Sequence, residues 1–309
     1  MMNSTKGSTM SSIGRLVWVC AWVLLSAIAA QTADYPPDIQ RIMDRGKLIV
    51  AMYYKDIPPF FMHIPGKTAP EGMRCQPSGD GYFCGVDVEL ALGIADTLGV
   101  VCEFQRKAET FDSLIDILGR HEADVAISLL SKTLDRSRKV LFTKPYVSLY
   151  NGMLLNRLFL ATYSENSSLI SILNHPTVKI GVKGGTSWVQ YVNRLFPNAV
   201  ILEYPSWDPD VISAVRKGDV MAAYADEIEI KKAIIAKPDV VIELKTVVLK
   251  DITDPIAMAV PWDSFQLLQW LNTYMEETKV TMTADSILGR YPESIKGSAE
   301  QLVSGESQQ

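Results

Sequence analysis

A serine and an arginine stand five residues apart in the segment Ser131-Lys-Thr-Leu-Asp-Arg136, just after an apolar run at 124–128. That run has the length of a buried strand, and residues past the ends of such strands face the ligand crevice of open α/β sheets. A guanidinium there can bind a carboxylate through two parallel N–H···O bonds, and the Ser131 hydroxyl can add another. The segment also fits a helix start capped by Thr133, and the two interpretations are compatible.

A glycine-rich turn, Lys183-Gly-Gly-Thr-Ser187, lies between a strand pattern and a helix pattern. Such a turn presents free backbone N–H groups and the positive end of a helix dipole, which together attract anions. It is not a nucleotide-binding P-loop, because the lysine precedes the glycines instead of following them. The alternative is a tight strand-to-helix connection that binds nothing.

An aspartate and several aromatic residues could complete a site for a small molecule. Asp226 ends a strand pattern, where its carboxylate can neutralise an ammonium or cap the following helix. Tyr53 and Tyr54 precede a Pro-Pro-Phe loop, and Phe111 begins a helix pattern; such rings pack in a core or flank a ligand's carbon chain. Together these residues would fit an α-amino acid. The arginine and the helix-end amides would bind its carboxylate, the aspartate its ammonium, and the aromatic rings its side chain.

Two successive α/β units must position these residues. The first has strand patterns at 47–52, 100–104 and 124–128 and helix patterns at 87–98 and 111–118. The second has strand patterns at 178–182, 199–202 and 220–224 and helix patterns at 188–196, 211–217 and 227–236. A strand at 256–260 and a helix at 264–277 remain. The alternation predicts parallel sheets, and the spare elements predict a return to the first unit, hence two crossings and a hinged cleft.

Composition and motif content exclude several classes of function. A length of 309 residues suits two domains. The net charge is −5, and the sequence lacks the stripe of basic residues that nucleic-acid binding requires. The three histidines show no metal-ligand spacing, and no nucleophile elbow, Walker motif or dinucleotide fingerprint is present. We therefore predict no metal, no cofactor and no catalytic residue.

The amino terminus has the pattern of an export signal over residues 1–29. Lys6 and Arg15 precede an uncharged apolar run at 16–29, which ends in Ala27-Ile-Ala29. An uncleaved membrane anchor is the alternative, although the run is shorter than the roughly 20 residues that a spanning helix needs.

Cysteine usage agrees with export. Cys75 and Cys84 flank a turn-rich stretch between two extended segments, which predicts a local disulfide in an oxidising compartment. Unpaired thiols are the alternative. Cys102 lies among apolar residues and is predicted to be a buried small hydrophobe.

Several ordered segments resemble the amino-acid-binding proteins of ABC importers, the family-three solute-binding proteins with the type II bilobed fold. The resemblance covers about residues 46–292. The segments that carry it are Gly46-Lys-Leu-Ile-Val50, Ile57-Pro-Pro-Phe60, Gly85-Val-Asp-Val-Glu-Leu90, Asp124-Val-Ala-Ile-Ser128 followed by Ser131-x-Thr-x-x-Arg136, and Phe142-Thr-Lys-Pro-Tyr146.

By this resemblance, an arginine and a serine bind the ligand's α-carboxylate together with helix-end amides, an aspartate binds the α-ammonium, and an aromatic ring stacks on the ligand. In this chain those residues are Arg136 and Ser131, the amides around Thr186 and Ser187, Asp226, and Phe111. Lys183 of the glycine-rich turn belongs to the same predicted site.

The chain departs from the family pattern at four positions around the expected site. Ile57 stands where the family often has an aromatic residue, and Trp188 replaces a smaller residue after the anion-binding turn. Leu129 replaces a glycine or serine near the ligand amine. Tyr54 stands where binders of basic amino acids tend to have an acidic residue, which argues against an arginine or lysine ligand.

The resemblance also implies an architecture and a function. We expect two Rossmann-like α/β lobes joined by a two-crossing hinge, with lobe 1 at 46–147 plus 255–295, lobe 2 at 148–254 and a flexible tail at 296–309. The expected function is a periplasmic, monomeric receptor that captures an amino acid or related small carboxylate in the interlobe cleft and delivers it to an ABC permease. The alternatives are a sensor for a membrane partner and an enzyme resembling exported cyclohexadienyl dehydratases, with Glu227 as its candidate acid.

Overall fold

The computed structural model of the protein describes residues 34–162 and 168–292. The export signal expected at 1–29 and the tail expected at 296–309 lie outside the described residues. Among the helices within these two ranges, none combines the length and the apolar composition needed to cross a membrane.

The described strands and helices follow each other with short connections. The strands are β1 (Lys47–Tyr53), β2 (Met62–Pro65), β3 (Gln76–Ser78), β4 (Gly81–Cys84), β5 (Val101–Ala108), β6 (Val125–Ala126), β7 (Val140–Phe142), β8 (Val147–Asn156), β9 (Lys179–Lys183), β10 (Val200–Tyr204), β11 (Ala222–Asp226), β12 (Leu244–Ile256) and β13 (Ala259–Pro261). The helices are α1 (Pro37–Arg45), α2 (Val86–Leu98), α3 (Phe111–Gly119), α4 (Arg157–Leu160), α5 (Leu169–Leu173), α6 (Ser187–Leu195), α7 (Ile212–Lys217), α8 (Glu227–Ala236), α9 (Val240–Glu243), α10 (Phe265–Glu277) and α11 (Ala284–Arg290).

Two five-stranded sheets confirm the predicted pair of α/β units, but both are mixed sheets and not the parallel sheets predicted. The first has the order β5-β1-β6-β13-β7, and the second has the order β10-β9-β11-β8-β12. In the first sheet β1 pairs in parallel with β5 and β6, and β13 returns late in the chain to pair antiparallel with β6 and β7. The predicted return of the last strand to the first unit is therefore confirmed.

Two long antiparallel strands connect the two sheets. Strands β8 and β12 both belong to the second sheet, and their register runs from Asn156 opposite Leu244 to Val147 opposite Ile256. At this end of the pair both strands are connected to the first sheet. Strand β7 of that sheet precedes β8 in the chain, and strand β13 of that sheet follows β12. These are the two crossings that a hinge between the sheets requires.

Local sequence explains where the helices begin and end. Helix α3 begins with a capping box in which Thr110 and Ser113 each accept from the other's backbone N–H. Helix α2 ends at Gly99, whose φ of 73° places it in the left-handed region that glycine adopts most readily. The helix predicted at 227–236 is confirmed with the same bounds.

Two predicted strands differ from the observed ones. The strand predicted at 124–128 is wrong in length, because β6 comprises only Val125 and Ala126. At its ends side-chain bonds accompany the backbone bonds: the Ile49 amide donates to the Asp124 side chain, and the Tyr53 amide donates to the Ser128 hydroxyl. The strand predicted at 256–260 is split between the end of β12 and β13.

A small third sheet carries the disulfide. Strands β2, β4 and β3 form it in that order, and Cys75 and Cys84 are joined with their Cα atoms 4.5 Å apart. Cys102 is a buried free thiol, as predicted.

Candidate ligand-binding site

A cavity of about 350 Å³ opens between the two sheets and is lined from both of them. Eight of the nine residues predicted to bind the ligand line it: Phe111, Leu129, Ser131, Arg136, Lys183, Thr186, Ser187 and Asp226. The first four follow strands of the first sheet, and the last four lie at or just after the ends of strands β9 and β11 of the second sheet. The predicted residues therefore meet in space although they are spread over positions 111–226 of the sequence.

Tyr54 is the predicted residue that does not line the cavity. Its ring is 43% exposed, and the Lys55 ammonium lies 5.2 Å from the ring centroid. The preceding Tyr53 stacks on Phe111 with ring centroids 5.3 Å apart. The Tyr54 ring packs edge-on against the Tyr53 ring with centroids 5.0 Å apart, so Tyr54 contacts a residue that packs on the cavity wall but does not line the cavity itself.

Arg136 lies on the wall formed by the first sheet and is 8% exposed. Its Nε donates to Asp112 Oδ1 at 3.0 Å, and its Nη1 donates to the Ser131 carbonyl at 3.1 Å. Its backbone amide donates to Thr133 Oγ1 at 3.2 Å, at the start of a short 3₁₀ turn. Both interpretations of this segment thus hold together: the threonine caps the turn while the guanidinium turns inward.

Asp226 lies on the wall formed by the second sheet and is 3% exposed. One carboxylate oxygen accepts from the Glu229 amide at 2.9 Å, so the residue caps α8 and also borders the cavity. Burial raises the pKa of Asp226 to about 7, with a further contribution from the neighbouring Glu229 charge. Because burial destabilises the charged form of Asp226, a cationic group of a ligand would stabilise this carboxylate more than it would stabilise an exposed one.

The glycine-rich turn connects β9 to α6, and its chain geometry depends on glycine. Gly185 has a φ of 70°, and the Thr186 hydroxyl donates to the Lys183 carbonyl at 2.8 Å across the turn. The first amides of α6 therefore lie at the end of the helix where Thr186 and Ser187 line the cavity. Burial lowers the pKa of the Lys183 ammonium beside them.

A buried carboxylate that the sequence analysis missed lies at the centre of the site. Asp254, on β12, is 2% exposed and lines the cavity. Its Oδ2 accepts from the hydroxyls of Ser131 at 2.8 Å and Ser187 at 3.1 Å, and its Oδ1 accepts from the Tyr191 hydroxyl at 3.2 Å. Burial raises the pKa of Asp254, whereas these three hydroxyl donors oppose that shift.

Backbone pairing explains why Ser131 meets Asp254. Ser131 forms an isolated antiparallel bridge with Ile256, and the Lys132 amide donates to the Pro255 carbonyl at 2.8 Å. The loop after the first sheet is therefore fixed beside the end of β12. The sequence offered one signal for this aspartate, namely an acidic residue two positions before the apolar segment at 256–260.

The three departures from the family pattern other than Tyr54 all line the cavity: Ile57, Leu129 and Trp188. Leu129 adopts a φ of 48°, a left-handed conformation that is unusual for a leucine. Its amide donates to Asp87 Oδ2 at 2.7 Å, and Asp87 Oδ1 accepts from the Tyr146 hydroxyl at 2.8 Å. The buried aspartate thus holds the leucine against the cavity.

Glu227, the candidate acid of the enzymatic alternative, lies outside the cavity lining. Its Oε1 accepts from the Tyr150 amide at 3.0 Å, and its Oε2 accepts from the Lys231 ammonium at 3.0 Å. The first contact ties α8 to β8, and the second is an ion pair within α8.

Comparisons with known proteins agree with this architecture. An arginine-binding protein of an ABC transporter from Escherichia coli (strain K12) is 24% identical over 209 residues, which is 66% of this chain and 79% of the relative. A solved amino acid ABC transporter substrate-binding protein from Streptococcus pneumoniae, bound to L-arginine, is 26% identical with a TM-score of 0.61, over 83% of this chain and 99% of the other.

A further solved structure is an ancestral amino-acid-binding protein described as a precursor of cyclohexadienyl dehydratase. It is 25% identical with a TM-score of 0.60, over 82% of this chain and 98% of the other. These neighbours confirm the predicted type II periplasmic-binding architecture. Residues 64–293 match the bacterial extracellular solute-binding proteins, family 3. Because this match covers most of the sequence, the chain belongs to that family.

Proposed function

We propose that the protein is an exported receptor that captures an amino acid in the cavity between its sheets and delivers it to an ABC permease. The observation that carries the proposal is the position of Arg136 and Asp226 on opposite walls of one cavity. A guanidinium and a carboxylate facing each other across a small space match the carboxylate and the ammonium of a zwitterion. The arginine-bound relative supports an amino-acid ligand.

Each group of the ligand has a proposed partner in the cavity. Arg136 binds the α-carboxylate with the amides at the start of α6, and Asp226 binds the α-ammonium. Phe111 supplies an apolar face for the carbon chain. Among the described residues Arg136 Nη2 donates to no protein acceptor, which leaves it available to a ligand oxygen.

Closure about the two crossing strands is the proposed means of capture. We propose that residues 46–147 plus 255–295 form one lobe and that 148–254 form the other. The hydroxyls of Ser131 and Ser187, one from each side of the cavity, are already 2.8 Å apart. Capture would bury the charged pairs, and each charge-assisted bond then contributes about 1.5–3 kcal/mol.

We further propose that binding occurs without turnover and in the periplasm. The relatives described above are binding proteins, and Glu227 serves structure. The disulfide between Cys75 and Cys84 suits an oxidising compartment. Because one of the neighbours is a dehydratase precursor, prephenate is the substrate to include as a test of this part of the proposal.

A thermal-shift screen of the protein lacking residues 1–29 tests the proposal with the twenty amino acids, several dicarboxylates and prephenate. A ligand at a hundred times its dissociation constant stabilises the folded state by about 2.7 kcal/mol. We expect a rise in melting temperature with one class of amino acid and no turnover of prephenate. A protein that responds to no amino acid would contradict the proposed function.

A further inference from the structure

A contact between two helices joins the two α/β units of the protein in addition to the crossing strands. Helix α11 belongs to the unit of the first sheet, because the Met282 amide just before it donates to the Tyr146 carbonyl at 3.2 Å. Just after it, the buried Tyr291 donates from its hydroxyl to Glu89 of α2 at 2.7 Å. Helix α8 follows β11 of the second sheet and packs against α11. The two helices therefore form a third link between the units.

Helix α8 places side chains in the hydrophobic cores of both units. Ile230 is 1% exposed and lies in the core of the second unit. Ile228 is also 1% exposed, but it lies in the core of the first unit, which includes Ile287 and Leu288 of α11. Positions two apart on a helix face roughly opposite directions, because each residue turns the chain by about 100°. One face of α8 is thus held by its own unit and the other face by the first unit.

Charged side chains at the surface add to this contact. The Lys231 ammonium lies 2.7 Å from Asp285 Oδ1 on α11 and 3.0 Å from Glu227 Oε2 on its own helix. Because the Asp285 side chain is 86% exposed, water screens the pair between the helices and its contribution to stability is small. The burial of the apolar Ile228 side chain is therefore the main attraction between α8 and the first unit.

The same helix carries part of the cavity wall. Asp226 lines the cavity and precedes Ile228 by two positions, and Glu229 and Lys232 of α8 also line it. A rotation of the second sheet away from the first carries α8 with it, since Ile230 is packed in the second core. Ile228 then leaves the core of the first unit and meets water, which costs free energy. The contact therefore opposes opening of the cavity.

We infer that the packing of Ile228 in the core of the first unit is a latch that favours the closed form of the cavity. The inference rests on the closure proposed above and adds the contact that sets the balance between open and closed molecules. Neither Ile228 nor residues 284–290, all of which the structure describes, border the cavity. The latch therefore regulates ligand capture without contacting the ligand.

Double electron–electron resonance on the ligand-free protein lacking residues 1–29 tests the inference, with spin labels at Glu109→Cys and Gln190→Cys. These two exposed positions lie in different units, and the native free thiol of Cys102 is buried. In Ile228→Val one buried carbon is lost, so we expect the ratio of open to closed molecules to rise about two- to tenfold. Ile230→Val removes the same group from an equally buried position of the same helix and should leave the ratio unchanged.

The outcomes separate this inference from the function on which it rests. An unchanged ratio in Ile228→Val would show that α8 turns about this contact without leaving it, and the latch would be refuted. An equal shift in Ile230→Val would show a general loosening of α8 and would refute it as well. A wild-type protein with one label distance that no amino acid changes would instead contradict the closure in the proposed function. Similar melting temperatures of the two variants would exclude a difference in folding as the cause of a difference in the ratio.

Discussion

The hydroxyls of Ser131 and Ser187 lie 2.8 Å apart, and both donate to the carboxylate of Asp254. Ser131 follows the first sheet, Ser187 begins a helix packed on the second sheet, and Asp254 lies on a strand that crosses between them. Three separate parts of the chain therefore meet at one carboxylate. The contact joins the two sides of the cavity.

Removing one of these hydroxyls should open the cavity. We expect Ser187→Ala to lose one net hydrogen bond of about 0.5–1.5 kcal/mol, which raises the ratio of open to closed molecules about two- to tenfold. Small-angle X-ray scattering without ligand should show a larger radius of gyration than in the wild-type protein. Ser171→Ala, on an exposed position of α5, is the matched control. Identical scattering of Ser187→Ala and this control would show that the contact does not hold the sheets together.

Arg136 should be required for affinity and not for folding. We expect Arg136→Ala to weaken amino-acid binding by at least about tenfold, because the charge-assisted contact from its Nη2 is lost. The melting temperature should change little, since its partner Asp112 is 79% exposed and remains solvated. Arg138→Ala, on the same turn but with its side chain 80% exposed, should bind normally. Full affinity in Arg136→Ala would refute the carboxylate assignment.

Binding of a cationic nitrogen at Asp226 should depend on pH. The pKa of Asp226 is raised to about 7, so below that pH a proton occupies the carboxyl and competes with the ligand. We expect the affinity to fall by up to about tenfold per pH unit below that value. Calorimetry from about pH 8 to about pH 5.5 measures this. Asp226→Asn keeps a side chain that caps helices, and its weaker binding should lose this pH dependence.

The stability of the ligand-free protein should show the opposite trend. A carboxyl whose pKa is raised on folding favours the folded state below its unfolded pKa, and that contribution is lost as the pH rises through about 7. Asp87, buried and also raised to about 7, changes stability in the same direction. The difference between the wild-type protein and Asp226→Asn isolates the contribution of Asp226. Parallel stability curves for the two proteins would contradict it.

The disulfide should contribute to stability and not to binding. Cys75 and Cys84 are 9 positions apart, and closing so short a loop stabilises the folded state by about 2–3 kcal/mol at most. We expect the double variant Cys75→Ser/Cys84→Ser to unfold at lower denaturant concentration and to keep its ligand affinity within about twofold. Reductant should lower the wild-type stability toward that of the variant. A wild-type protein insensitive to reductant would argue against the bond.

Apolar periodicity predicted the elements that form the sheet cores but not the strands that connect them. Strand β8 contains Asn151-Gly152, a turn signal, and β12 contains charged residues and Pro255. Long-range antiparallel pairing overrides these local signals, since the two strands form ten residue pairs along their length. Pairing of this kind cannot be inferred from a window of neighbouring residues.

The same limit decided how much of the site could be predicted. Arg136 and Asp226 follow strands whose patterns are strong, so their position at the cavity was predictable from the sequence. Asp254 was missed because it lies within a crossing strand that the sequence did not reveal. Tyr54 was predicted at the site, but it follows the end of β1 and contacts Tyr53 instead of lining the cavity, a detail of packing that the sequence does not reveal.

The two crossing strands are unequal in length. Leu249 pairs with Asn151 and Thr253 pairs with Tyr150, so residues 250–252 have no counterpart on β8. The crossing through β12 is therefore three residues longer than the crossing through β8. Asp254 lies two residues after this insertion, so the extra residues set which β12 side chain faces the cavity next to Ser131 and Ser187.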